Sequence, residues 1–130
     1  MPRPITAVIH SQSLQHNLNV ARTKMPNSQV YAVVKANAYG HGIERVYAAF
    51  QSADGFAFLD IEEGKRLRAL GCKKPLLLLE GIFALADLFA CAKHDMSFAI
   101  HSRHQVQWLK QFAEIVPDAQ FDVFLKMNSG

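Results

Sequence analysis

"GFAFLDIEEGKRLRALGCKKPLLLLE", residues 55–80, contains one full repeat of the architecture. "GFAFLD" is a short apolar run of strand composition. Asp60 followed by Glu63 has the spacing of a capping box, which opens a helix that Gly71 closes. "PLLLLE" reads as a second strand by its flanks, although leucine alone would permit helix. A strand, a single amphipathic helix and another apolar strand form the crossover unit that joins parallel neighbours.

The same alternation extends in both directions. Upstream, "SQVYAVVK" is a strand, and "IERVYAAF" places Ile43, Val46, Tyr47 and Phe50 on one helical face. Downstream, Leu85, Leu88, Phe89 and Ala92 mark a helix, and "MSFAI" a strand. Ser102 with Gln105 caps a helix carrying Val106, Leu109, Phe112 and Val116, and "FDVFLK" is a strand. The chain opens with a short strand at "TAVIH". The helix "SQSLQHNLNVARTKM" follows, capped by Ser11 or Ser13, carrying Leu14, Leu18, Ala21 and Met25, and stopped by Pro26.

The five main strands start near residues 30, 55, 76, 97 and 121, separated by 25, 21, 21 and 24 residues. Strict alternation at this spacing means parallel strands covered by helices, in a doubly wound sheet or a TIM-type barrel. A barrel needs eight strands and about 250 residues. If the parent fold is a barrel, five strands and the short leader make this chain a part of one. The ending "KMNSG", in a glycine turn just after a strand, points the same way.

Composition narrows the function classes. With 130 residues the chain can bury a real core, and its formal charge of +3 is only mildly basic. No run of Lys and Arg exceeds two, so neither nucleic acid nor an acidic membrane surface is an expected partner. Cys72 and Cys91 lack CxxC spacing and read as free core thiols. No signal peptide and no apolar run of membrane-spanning length is present, which predicts a cytoplasmic protein.

Lys35 stands out against this background. It ends a nearly unbroken apolar strand and opens the polar loop of "VVKANAYGHG", residues 33–42. Functional groups of parallel α/β folds gather at such strand ends. On position alone Lys35 reads as a cation snorkelling to solvent. The functional alternative is a desolvated amine that forms a Schiff base with an aldehyde, chemistry suited to pyridoxal 5'-phosphate (PLP). Tyr39 could hydrogen-bond a phosphate, and Gly40 and Gly42 let the backbone turn tightly beside a ligand.

"VVKANAYGHG" resembles, at every position, the PLP-attachment signature of bacterial alanine racemases. "SQSLQHNL" is similar to that family's opening helix, "FAFLDIEEGKRLRALGCKKPLLLLEG" to its second and third βα units, and "VFLKMNSG" to its fifth strand. The resemblance implies a fold-type III, PLP-dependent isomerase that interconverts L- and D-alanine for peptidoglycan synthesis and works as a homodimer. Residues 1–130 would be the N-terminal part of its barrel, without the remaining strands and the C-terminal β domain. It further implies that Lys35 is the Schiff-base lysine and one of two acid–base groups, and that Tyr39 contacts the cofactor phosphate. The second base would be a tyrosine of the partner subunit, beyond this sequence.

Lys126 aligns with a lysine carbamylated in several family members. The usual local pattern is Lys-x-Asp-Thr-Gly, and "KMNSG" departs from it at Asn128 and Ser129, which leaves the role of Lys126 open. His41 is assigned to loop structure, and the other histidines show no metal-ligand spacing. Glu62 and Glu63 read as helix-start charges, Trp108 as packing, and Leu76–Leu79 as core with alternate members lining the barrel interior. Related readings are a broad-range amino-acid racemase, a decarboxylase or a PLP carrier of the same fold. A 130-residue chain acting alone is expected to show little or no racemisation, because five strands cannot close a barrel and leave two unpaired edges.

Overall fold

The computed structural model describes residues 3–130. Helix α1 (Ser11–Lys24) precedes strand β1 (Tyr31–Val33). A single turn, α2 (Lys35–Tyr39), then leads into helix α3 (Ile43–Ala49). Strict alternation follows: β2 (Gly55–Phe58), α4 (Ile61–Ala69), β3 (Leu76–Leu78), α5 (Leu85–His94), β4 (Ser97–Ile100), α6 (Arg103–Ile115) and β5 (Val123–Leu125).

All five strands are parallel and lie in the order β1-β2-β3-β4-β5. A doubly wound sheet reverses its strand order at a switch point, and this one never does. The helices follow the same progression, α1 packing on α3, α3 on α4, α4 on α5 and α5 on α6. One face of the sheet is therefore covered and the other is left concave. This is an arc of a parallel α/β barrel.

Strand alternation divides the side chains between those faces. Phe56, Phe58, Leu76, Leu78, Phe98 and Ile100 point to the helices. There they meet Leu18, Ile43, Val46, Leu67, Leu88, Cys91 and Phe112 in one buried cluster. Phe121 closes its far end, with ring centroids 5.2 Å from Phe98 and 5.4 Å from Phe112. Helix α4 comes unusually close to the sheet, because Gly64 has no Cβ: one placed there would sit 2.6 Å from Cζ of Phe58. Trp108 packs against the cluster as a partly buried residue. Both cysteines are buried and free.

The expected caps hold at two helices. Asp60 Oδ1 accepts the Glu62 N–H at 2.9 Å, and Ser102 Oγ accepts the Gln105 N–H at 3.4 Å. Gly71 ends α4 with φ +85, and the Cys72 N–H returns to the Leu67 carbonyl at 3.1 Å. Two expectations fail. The N-cap of α1 is His10, with no side-chain cap, because Ser11 has joined the helix and the Ser13 and Leu14 N–H groups go to the His10 carbonyl. "TAVIH" forms no strand, since among the described residues β1 pairs with β2 alone and nothing offers this segment a ladder; Val8 is exposed. Among the described residues no helix is long and apolar enough to cross a membrane.

Candidate active site

The concave face is where chemistry-bearing residues meet. At the C-terminal strand ends an open cleft of ≈ 530 Å³ is lined by Lys35, Leu59, Leu77, Leu79, Ala99, Phe124 and Lys126, with Glu80 at its rim. Lys35 gets there by alternation. Val34 is fully buried on the helix side, so the next side chain turns to the concavity. Leu76 and Leu78 serve the core while Leu77 and Leu79 line the cleft, the division expected of the leucine run.

Lys35 and Lys126 thus stand in one cleft although 91 residues separate them in the chain, from 35 to 126. The backbone N–H of Lys126 donates to the Ile100 carbonyl at 2.9 Å, which continues the β4–β5 ladder and leaves its side chain exposed. Lys35 is half-buried, and its Nζ lies 5.9 Å from the centroid of the Tyr39 ring, at the limit of a cation–π contact. Tyr39 itself is 59% exposed.

Among the described residues, the longest run of left-handed backbone begins directly after Lys35. Ala36, Asn37, Ala38 and Tyr39 have φ between 51 and 54, the left-handed region, with none of them glycine. Each such residue costs about 1–2 kcal/mol, somewhat less for asparagine. Gly40 and Gly42 continue with φ of 84 and 91, as their place in the loop led one to expect. Strain of this kind persists only where its surroundings over-determine it, and it concentrates at functional sites.

The surroundings here are explicit. Within the loop, the Ala38 N–H reaches the Val34 carbonyl at 2.7 Å and the Gly42 N–H the Asn37 carbonyl at 2.9 Å. His41 Nδ1 lies 2.9 Å from the Ala38 carbonyl, a loop role. From α4, Glu63 Oε1 accepts the Asn37 N–H at 2.8 Å. Asn37 Oδ1 accepts from Arg66 Nη2 at 2.8 Å and from the Ile43 N–H at 3.2 Å. Arg66 also forks onto Glu44, at 2.9 Å from Nε and 2.7 Å from Nη2. That hydrogen bond holds the Glu44 carboxyl below its ordinary range and raises the guanidinium of Arg66.

Glu62 and Glu63 separate in role. Glu62 is an exposed helix-start charge paired with Lys65 at 2.6 Å, whereas Glu63 is buried. Sequence reasoning placed Glu63 in a capping box and missed its second oxygen. Asn37 and Arg66 were missed altogether, since no local spacing reports a bond between a loop and a helix 29 residues on. No group of three metal-ligating side chains occurs among the described residues.

Comparison with known proteins fits this geometry. A family model described as "Alanine racemase, N-terminal domain" matches residues 9–130. Over 130 residues the chain is 66% identical to an alanine racemase of Acinetobacter baumannii (strain SDF) and 52% identical to one of Acidovorax sp. (strain JS42), covering 35% of each. The solved structure of alanine racemase from Acinetobacter baumannii matches with a TM-score of 0.86 at 34% identity, over 94% of this chain and 36% of that one. Biosynthetic alanine racemase from Pseudomonas aeruginosa matches with a TM-score of 0.83 at 36% identity, over 92% and 33%. The chain spans about a third of the length of these relatives. With a lysine at the mouth of a parallel arc and a family match over nearly its whole length, this chain belongs to the alanine racemase family, within the N-terminal domain.

Proposed function

We propose that this chain supplies the cofactor-anchoring part of a PLP-dependent alanine racemase, with Lys35 as the attachment residue. The observation that carries the reading is the amine of Lys35 at the C-terminal end of β1, facing a cleft built from the ends of all five strands. The residues present suit the cofactor. A half-buried primary amine meets an aldehyde, the phenol of Tyr39 lies four residues on for a phosphate, and a Cβ on Gly40 would meet nothing within 4 Å, so the loop leaves room. Apolar Leu59, Leu77 and Leu79 give the ring a dry wall.

When bound, PLP supplies an electron sink for the carbanion left as alanine loses its Cα proton. Lys35 Nζ would hold the cofactor, and its free amine would take or return a proton at the substrate Cα from one face. Tyr39 would hydrogen-bond the cofactor phosphate. Lys126 shares the cleft, and carbamylation of its Nζ would replace the second cation there with an anion. Inversion needs a second acid–base group on the opposite face, which we place on a partner subunit of a cytoplasmic homodimer.

The test is Lys35→Ala, read by borohydride-reducible PLP and by alanine racemisation. The expected result is loss of the reducible adduct and a fall in racemisation of several orders of magnitude. Full retention of the reducible adduct in the variant would refute the assignment.

A further inference from the structure

We propose that Glu63 is a positioning residue for Lys35, its carboxylate clamping the left-handed turn from which the lysine amine is presented. The proposal rests on Lys35 as the cofactor anchor and goes beyond it.

A capping box requires only that the residue at the third helical position reach the N–H of the cap. An exposed carboxylate does this as well as a buried one. Glu63 does more than that. It is 8% exposed, one of two buried polar side chains of the protein among the described residues. Oε2 accepts from the Leu59 and Asp60 N–H groups, both at 3.3 Å, which is the cap. Oε1 turns the other way and accepts from the Asn37 N–H at 2.8 Å, across 26 residues of sequence.

One carboxylate therefore ties the end of β1 to the end of β2. Leu59, whose N–H it holds, lines the cleft beside Lys35, and Asn37 lies two residues beyond Lys35. The left-handed dihedrals of Ala36 and Asn37 (φ 51 and 54) accompany this bond. One turn along α4, Arg66 holds the side chain of the same asparagine. Helix α4 thus grips Asn37 by its backbone and by its amide, which offsets the strain of the turn and fixes the direction in which Lys35 leaves it.

The test compares Glu63→Gln, which always leaves one of the two sides facing an amide donor, with Asp60→Ala, which weakens the same cap but does not touch Asn37. Amide exchange of residues 36–42 is measured without cofactor. PLP attachment is measured as the concentration giving half-maximal borohydride-reducible adduct on the Lys35 peptide. Glu63→Gln is expected to speed exchange in the turn at least tenfold and to raise the half-saturating PLP concentration about tenfold. Asp60→Ala is expected to stay within twofold on both while lowering Tm. Glu63→Ala, which orphans all three N–H groups, should exceed Glu63→Gln on both readouts if it folds.

The proposal is overturned if Glu63→Gln tracks Asp60→Ala on both readouts. It is also overturned if exchange quickens with PLP attachment unchanged, since the turn would then not set the position of the amine. PLP retained by Lys35→Ala instead overturns the anchor reading, and the exchange arm then stands by itself as the test of the clamp.

Discussion

Replacing Arg68 by methionine removes a guanidinium that stitches the opposite end of the sheet while keeping most of its apolar stem. Nε donates to the His94 carbonyl at 2.8 Å, Nη1 to the Cys72 and Lys74 carbonyls at 2.8 Å each, and Nη2 to the Asp95 carbonyl at 2.6 Å. One side chain on α4 thus satisfies the end of α5 and the connection into β3. Hydrogen bonds to a charged group contribute about 1.5–3 kcal/mol each, so four would total roughly 6–12 kcal/mol. That total overshoots, because these carbonyls lie at the end of α5 and in the loop before β3, where water can replace the guanidinium. The carboxylate of Asp95, at 3.6 Å and fully exposed, adds nothing that counts. The side chain of Arg68 is only 16% exposed, so its bonds still exceed those of a surface residue. We expect Arg68→Met to cost about 2–4 kcal/mol, within the range of a broken buried network. Tm should fall by roughly 6–15 °C for a domain of this size. Arg68→Lys should recover less than half, since an ammonium cannot fork across four acceptors. Urea unfolding followed by circular dichroism measures both. A loss under about 1 kcal/mol for Arg68→Met would show that the carbonyls are solvated as well without it, and the reasoning fails.

Two further predictions concern titration and thiol chemistry. The Val30 N–H, at 2.8 Å, and then Arg22 hold the carboxyl of Asp54 below its ordinary 3.8. A depressed folded pKa adds stability above the unfolded value and loses it as pH falls through the folded one. The stability gap between the wild type and Asp54→Asn should therefore be constant near neutrality and shrink below about pH 4; a gap unchanged down to pH 3 contradicts this. Burial, and then the carboxylate of Asp87, push the Cys91 thiol up to about 12. Cys91 should therefore resist a thiol reagent at pH 8 in the native protein and react once urea unfolds it, and rapid native labelling would count against the buried assignment.

Much of the fold was legible in the sequence because its signals are local. Hydrophobic period marked the helices and strands, and Asp60, Gly71 and Ser102 carry their cap chemistry within a few residues. "TAVIH" and the cap of α1 were misread for a related reason. Strand composition without a pairing partner makes no ladder, and a serine near a helix start caps only if the backbone leaves it outside. The candidate site was half legible. Lys35 shows itself as a cation closing an apolar strand, and glycines flag the turn. The four left-handed residues between them do not show, because alanine and tyrosine ordinarily avoid that region.

The sequence by itself determined four βα units and a fifth strand, the alternating faces of the leucine run at 76–79, and the lysine at the end of the first strand. Period two, period three point six and capping residues act over a few positions, so they survive in a linear string. The alternation of elements left a doubly wound sheet and a barrel both open; the resemblance of the lysine signature implied the barrel, and the tertiary structure shows its arc in a strand order that never reverses. It also brought Lys126 into the cleft of Lys35, and bent Glu63 and Arg66 onto Asn37. Those contacts join residues more than twenty positions apart, through hydrogen bonds whose partners no spacing rule can name. Closing such long loops is affordable only once the shared core has formed, and their geometry exists nowhere before it.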